Sequence, residues 1–305
     1  MTNSASMTRR LYGWAAWLNA TFKHWTLLPA VLLFTLLTVY PMANLLRMSV
    51  STIEFKDGQE VWHFTPAANW HSLNTDPGLG ATVANTLIFV VVAVAVELVL
   101  GLGLALLVGA MKHGKGALRT LMIIPILVPP VAIGSMFKLM FNYDFGLFNQ
   151  MLALVGIQPL GWLGSPSLAL WSVILVDIWH WVPFMFLILS AAVEGLPSEV
   201  LEAARVDGAT RWQLLWRVTL PLLVPASAVA VLFRSIMAFK AFDEVFLLTG
   251  GGPGTSSELL SLHLYKVFFE QSQLGYGAML SLLTVIGVLL VLYLGRRVTA
   301  GAGIS

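Results

Sequence analysis

The sequence predicts an all-α integral membrane protein, with six transmembrane helices and a cytoplasmic helix–break–helix between the fourth and fifth. Three observations point there. Of 305 residues, 58% are hydrophobic and only 10% are charged, whereas a soluble domain carries about 25% charged residues to cover its surface. Several apolar runs approach or exceed the roughly 18 residues of a membrane span. Lys and Arg gather on alternate segments between those runs. The mean hydropathy of +0.83 agrees.

The first span, about 26–46, follows Arg9 and Arg10. It is too long for a signal-peptide core and shows no small-residue cleavage site, so it reads as an uncleaved helix. The remaining spans are about 82–109, 121–141, 167–192, 221–241 and 277–296. Each must be helical, because backbone groups find no water in lipid. Their internal Pro129-Pro130, Pro183, Gly101 and Gly103 are then kinks or close-packing points.

Orientation follows from the basic residues. Arg9, Arg10, Lys23, Lys112, Lys115, Arg119, Arg205, Arg211, Arg217, Arg296 and Arg297 fall on one side, and only Arg47, Lys56 and Lys266 on the other. Eleven against three places both termini and the loop after span four in the cytoplasm. The predicted organisation is a tail at 1–25, a six-span transmembrane domain at 26–297 containing the polar loop 193–220, and a tail at 298–305. The outer segments, about 47–81, 142–166 and 242–276, hold no separate domain; their Trp62, Trp70, Trp162 and Tyr276 suit an interfacial belt.

The polar loop carries its own helix signals. Leu196-Pro197-Ser198 marks a start with Ser198 as N-cap. Glu199 and Glu202 suit the positive end of the helix dipole. Asp207-Gly208 breaks the helix, and a second helix runs from about Thr210 to Val218 with Trp212 and Trp216 on one face. Leu220-Pro221 then opens span five. Such a loop either packs on the ends of its own spans or presents a docking surface.

Charges within spans each need a reason, since one at mid-membrane costs roughly 2.5–3.5 kcal/mol on insertion scales. Asp177, His180 and Trp181 share a face of span four beside Trp179. Indole faces stack on sugar C–H faces and carboxylates accept from hydroxyls, so the cluster suits a solute cavity; the alternative is a buried Asp177–His180 bond. Arg234 and Lys240 in span five either hold an anionic solute group or pair with Asp243, Glu244 or Asp177. Glu97 requires a partner on a neighbouring helix or on a helix of a partner chain, and Lys138 can snorkel outward.

Other chemistry is excluded. A net charge of +2 gives no case for nucleic acid, and zero cysteines exclude disulfides and thiol nucleophiles. Gly109 to Gly116 fails as a P-loop, because Gly116 stands where Ser or Thr is required and a membrane helix precedes it. The six His residues show no paired-ligand spacing, and no Gly-x-Ser-x-Gly elbow exists.

Glu202-Ala203-Ala204, then Asp207-Gly208-Ala209, then Leu220-Pro221 resembles the EAA loop of binding-protein-dependent ABC importer permeases. Ile124-Pro125 with Pro129-Pro130, Asp144 to Asn149, Phe242-Asp243 with Leu248 to Gly254, and Gly275 to Ala278 are similar to the carbohydrate-uptake branch, in the right order over nearly the whole chain. The resemblance implies a type I importer permease in a bacterial inner membrane. It implies a second homologous permease, two ATPase subunits that bind ATP and Mg in place of this chain, an extracytoplasmic binding protein and a sugar-like solute.

The same resemblance implies that Glu202, Ala203, Ala204, Asp207, Gly208 and Ala209 form the ATPase-coupling element. From their chemistry, Asp177, Trp179, His180, Trp181, Arg234, Lys240 and Asp243 are the candidates for the solute pathway, and the resemblance implies docking or gating at Gly250 to Gly254. This chain would hold no cofactor and act as a pore subunit. A self-associating secondary transporter or channel would need no docking helix, and a membrane enzyme using Asp177 and His180 lacks a nucleophile.

Overall fold

The computed structural model describes residues 4–301, leaving out the side chains of 4–21, 23–25, 294 and 296–301. Residues 1–3 and 302–305 of the predicted tails, and the side chains of Arg9, Arg10, Lys23, Arg296 and Arg297, therefore lie outside the described residues. The chain divides into two compact units: residues 1–70 with 273–282, and residues 71–272 with 283–305.

In the first unit, helix α1 (Ser4–Ser49) contains the first apolar span, Thr26–Ser49. Val31, Leu32, Leu33, Phe34, Leu36 and Leu37 on it are all exposed, as a lipid-facing helix requires. A hairpin follows, β1 (Ser51–Lys56) antiparallel to β2 (Gln59–Phe64), with Lys56 opposite Gln59. It turns at Asp57-Gly58, both left-handed at φ 53° and 76°, which is the geometry a two-residue hairpin demands. The Arg47 guanidinium lies 4.3 Å from the Trp62 ring centre. Sequence periodicity alone left this segment as a plain outer loop.

Helix α2 (Pro66–Thr75) supplies buried Asn69, whose amide donates to the carbonyls of Ser49 at 2.8 Å and Ser51 at 3.2 Å. The Ser51 carbonyl also meets Gly275 so closely that a β-carbon there would sit 2.0 Å from it.

In the second unit, helices α3 (Leu79–Ala110) and α7 (Ala169–Glu194) form the central pair. Phe89, Val90, Ala93 and Val94 meet Val173, Ile174, Val176 and Met185 in one core. Gly101 permits the approach: a β-carbon there would lie 2.6 Å from the Met185 β-carbon and 2.9 Å from the Phe186 nitrogen.

The predicted third span is not one helix. Helices α4 (Lys115–Leu127) and α5 (Pro130–Met140) meet at 90°. Pro129 forces Val128 into extended backbone, φ −77° and ψ 127°, and contributes no N–H to the ladder. The break carries α5 toward α11 (Asp243–Leu248), where Gly134 admits Leu247. Helix α6 (Leu147–Leu154) and the turn before α7 are pinned by buried Asn149, which donates to the carbonyls of Tyr143 and Leu160 and accepts from Leu160 N–H and Trp162 Nε1.

The loop after α7 holds α8 (Ser198–Val206) and α9 (Arg211–Gln213). A π-helical turn, Leu214–Thr219, joins α9 to α10 (Leu220–Phe239) without a break. After α11 come α12 (Leu260–Tyr265), a second π-helical turn at Lys266–Glu270, and α13 (Leu274–Gly301). Among the described residues five helices suffice by length and composition to cross a membrane, and the bent α4–α5 pair makes six.

Replacing Gly101 by Val should force α3 off α7 and lower stability by about 1–3 kcal/mol, as overpacking does. A Gly103→Ala control, with nothing within 4 Å of its added carbon, should be tolerated. The apparent melting temperature of the detergent-solubilised chain checks both; equal values for the two variants would refute the close-contact role of Gly101.

Candidate functional site: a buried charge hub and an exposed helix–break–helix loop

Arg234 on α10 is 1% exposed, and Glu97 on α3 and Asp177 on α7 are equally enclosed. Arg234 Nε donates to Glu97 Oε2 at 2.7 Å, and Nη2 donates to Glu97 Oε1 at 2.9 Å and to Asp177 Oδ2. The Trp181 ring covers the guanidinium with its centre 4.9 Å from Cζ. The planar fork of Arg suits such double pairing, and a desolvated cation gains from an indole face. Three spans are thereby tied at one point inside the membrane domain.

The sequence reading of this region is partly redrawn. Of the expected partners of Arg234, Asp177 is present, while Asp243 and Glu244 are not, and Glu97 takes the larger share. The alternative Asp177–His180 bond is absent: His180 Nδ1 lies 3.0 Å from Glu244 Oε1 on α11, both groups being buried. Asp177 and Trp181 do share a face, but it is directed at Arg234. Trp179 points elsewhere, edge-on to Phe137 with ring centres 5.3 Å apart, and keeps 38% of its surface exposed. Lys240 caps α10 and Asp243 opens α11; both are exposed, and no ion pair joins them among the described residues. Glu97 was flagged only as needing a partner, because a single sequence cannot say which helix adjoins α3.

The loop after α7 keeps the predicted helix–break–helix with two local corrections. Ser198 is the first helical residue, and Pro197 occupies the cap with extended backbone. Pro at this position removes a donor that the helix start would leave unsatisfied anyway. The break is a Schellman motif: Gly208 at φ +80°, with its N–H on the Arg205 carbonyl and the Ala209 N–H on the Ala204 carbonyl. The following helix is capped by Thr210 in a capping box with Gln213. It then runs into span five through the π turn, so Leu220-Pro221 lies inside a continuous helix, not at its start. The wider turn places the Leu220 N–H on the Leu215 carbonyl, the register that accommodates a proline one residue on.

Glu202, Ala203, Asp207 and Gly208 are exposed, and Ala204 and Ala209 half-buried. Around them Val200, Val206, Trp212 and Trp216 are exposed at 43%, 87%, 70% and 63%. This capped element leaves aromatic and aliphatic groups uncovered by the chain itself, as a docking surface does.

The glycine-rich outer segment is also ordered. Gly250, Gly251 and Gly254 take positive φ. Ser257 Oγ bonds the Thr249 hydroxyl and the Gly252 carbonyl, each at 2.8 Å. From α3, Asn85 donates to the carbonyls of Thr255 and Glu258, and Thr86 Oγ1 accepts the Leu260 N–H at 2.8 Å.

Fold and loop together define a polytopic helical membrane protein with a structured, exposed loop between two of its spans. Residues 97–300 match the family of the binding-protein-dependent transport system inner membrane component, and the chain belongs to it as an ABC importer permease. It is 38% identical over 204 residues, 67% of this chain and 69% of the other, to the trehalose/maltose transport system permease protein MalF of Thermococcus litoralis. It is 33% identical over 276 residues, 90% of this chain and 89% of the other, to the sulfoquinovosyl glycerol transport system permease protein SmoG of Agrobacterium fabrum. Its fold superposes on a chain of a bacterial alginate ABC transporter crystallised with a pentasaccharide-bound periplasmic protein. There the TM-score is 0.79 at 20% identity, over 92% of this chain and 95% of that one.

Truncating Arg234 to Met should cost about 3–5 kcal/mol, because it strands two buried carboxylates. The triple variant Arg234→Met, Glu97→Gln, Asp177→Asn should recover much of that loss. Thermal denaturation in detergent checks the pair; a triple variant less stable than the single one would refute the hub as an ionic balance.

Proposed function

We propose that this chain carries a sugar or sugar-like solute, an oligosaccharide, glycoside, polyol or sugar derivative, into the cytoplasm by alternating access. It works in a bacterial inner membrane with both termini cytoplasmic, beside a second homologous permease. Two ATPase subunits, holding ATP and Mg, dock on the loop from Glu202 to Ala209, and an extracytoplasmic binding protein delivers the solute. This chain performs no hydrolysis of its own. The observation that carries the coupling reading is the loop itself: capped at both helices, broken at one left-handed glycine, and ringed by exposed Val206, Trp212 and Trp216.

Support for a sugar-like solute comes from the relatives, whose names specify trehalose/maltose and sulfoquinovosyl glycerol. Within the proposed pathway the residues divide by chemistry. Asp177, His180 and Arg234 are each paired and buried, so they shape the wall; Arg234 offers no open donor fork to an anionic solute. Trp179 retains exposed indole, Trp181 offers its half-buried ring, and Lys240 with Asp243 supplies exposed polar groups near the outer end of α10. Aromatic faces beside a few polar groups are the usual means of holding a sugar.

ATP-driven approach of the two ATPases would move the loop and, through the helix joined to it, rock the bundle. Gly208→Pro cannot reach φ +80° and loses the bond to the Arg205 carbonyl. Glu202→Lys reverses the charge in the middle of the docking surface. In the assembled complex each should lower ATP-coupled solute uptake at least about 30-fold, the scale of losing a binding hot spot of 2 kcal/mol, with membrane insertion unchanged. Uptake at the unmodified rate in both variants would remove the coupling role.

A further inference from the structure

His263, on α12, is held at both ring nitrogens. Nδ1 lies 2.6 Å from Glu258 Oε1, and Nε2 lies 2.8 Å from Asp76 Oδ2. The ring is 6% exposed and Glu258 3%. The second Glu258 oxygen accepts from Lys266 Nζ at 2.6 Å. Asp76 is anchored in turn: its Oδ1 accepts from the N–H groups of Gly78 at 2.9 Å and Leu79 at 3.2 Å, where α3 begins. Gly251, at φ +88°, passes so near that a β-carbon there would lie 3.0 Å from both Glu258 Oε2 and Lys266 Nζ. The imidazole thus bridges the end of the glycine-rich outer loop and the start of span two.

A neutral imidazole has one N–H and one acceptor nitrogen, so it can donate to only one carboxylate. With both carboxyls ionised, the two short contacts are satisfied together only by the imidazolium. The charge count agrees: Asp76 and Glu258 balance His263 and Lys266 when the ring is protonated, and an uncompensated negative charge remains when it is not.

We propose that His263 is a protonation-dependent latch: as an imidazolium between Asp76 and Glu258 it fastens the glycine-rich outer loop to the start of α3, and the outer face opens by breaking this contact. The hydrogen bonds that Asn85 and Thr86 of α3 make to the loop join neutral groups and do not titrate. The charged groups against the ring are Glu258 from its own segment and Asp76 from the segment leading into α3, with Lys266 reaching it through Glu258.

The pH window follows from these neighbours. Burial alone would lower the His263 pKa, but the hydrogen bonds to Glu258 and Asp76 outweigh it and hold the ring above its ordinary value. Burial pushes the Glu258 carboxyl up, and the hydrogen bonds from His263 and Lys266 outweigh that and hold it below the ordinary value. A raised imidazole contributes fully below about pH 6.5 and loses its contribution as pH rises through the raised value. A lowered carboxyl contributes above its ordinary range and loses its contribution as pH falls through the lowered value. The latch is therefore closed between the two and opens on the alkaline side.

Its meaning for solute entry rests on the permease function; its existence does not, and the experiment separates them. The chain has no cysteine, so nitroxide labels at Thr75→Cys and Thr255→Cys report the two sides of the latch in full-length protein in lipid nanodiscs. Pulsed electron-spin resonance from about pH 6 to about pH 9 brackets the histidine titration. A short distance at low pH should give way to a longer one, the ratio of long to short rising roughly tenfold or more, as expected for a lost charge-assisted bond. His263→Gln should show the long distance throughout, and His263→Arg, with its fixed charge, the short one. A distance independent of pH in the otherwise unaltered chain overturns the latch and leaves the permease assignment intact. A pH shift that persists in His263→Gln assigns the titration elsewhere and overturns it as well.

Discussion

A single guanidinium inside the membrane constrains this molecule more than any other group. Arg234 has no water to fall back on, so it must be matched where it stands. It is matched by Glu97 from α3, Asp177 from α7 and the face of Trp181. Hydrophobic contact cannot by itself choose one register of three apolar helices, because lipid tails are as apolar as the helices. A forked donor and two carboxylates can, since a shift of one residue along any helix strands a buried charge. The close approach at Gly101 and the core around Phe89 and Val173 then fill the space that this register defines.

Arg234 also lies on the helix that begins at the loop after α7. The continuous run from Arg211 to Phe239 carries the capped start at Thr210, the π turn and the hub on one axis. At 1.5 Å per residue, about 35 Å separate Arg211 from Arg234. A stiff rod attached to a docking surface at one end and to two other spans near its far end is the mechanical element that the proposed cycle requires. The π turn offers the one place along the rod where the backbone ladder is already widened, as π-bulges at functional positions are.

The sequence was legible wherever the deciding physics is local. Apolar length marked each span, Gly208 and Thr210 marked the break and restart of the loop, and Pro129-Pro130 marked a weak point in span three. What those signals could not carry was extent. Two prolines announce a kink, yet the 90° turn onto α11 depends on Leu247 meeting Gly134, a contact more than a hundred residues distant. Asp57-Gly58 between alternating residues was a hairpin signal in plain view, masked by the assumption that outer segments only connect spans. Ser198 was assigned as a cap because capping propensity favours Ser, whereas the backbone bends one residue earlier at Pro197.

Composition, hydropathy and turn chemistry were enough to determine a helical membrane protein of five to six spans and the helix–break–helix between two of them, because those features depend on the chain and its solvent alone. The partners of its buried ionisable groups were decided only by the tertiary structure. Glu97 with Arg234, His180 with Glu244, and His263 with Asp76 and Glu258 are pairings across elements, save for the short step from Glu258 to His263. The physical reason is that a charge in low dielectric takes whichever opposite charge the packing brings within about 3 Å. Sequence separation says nothing about which one that will be.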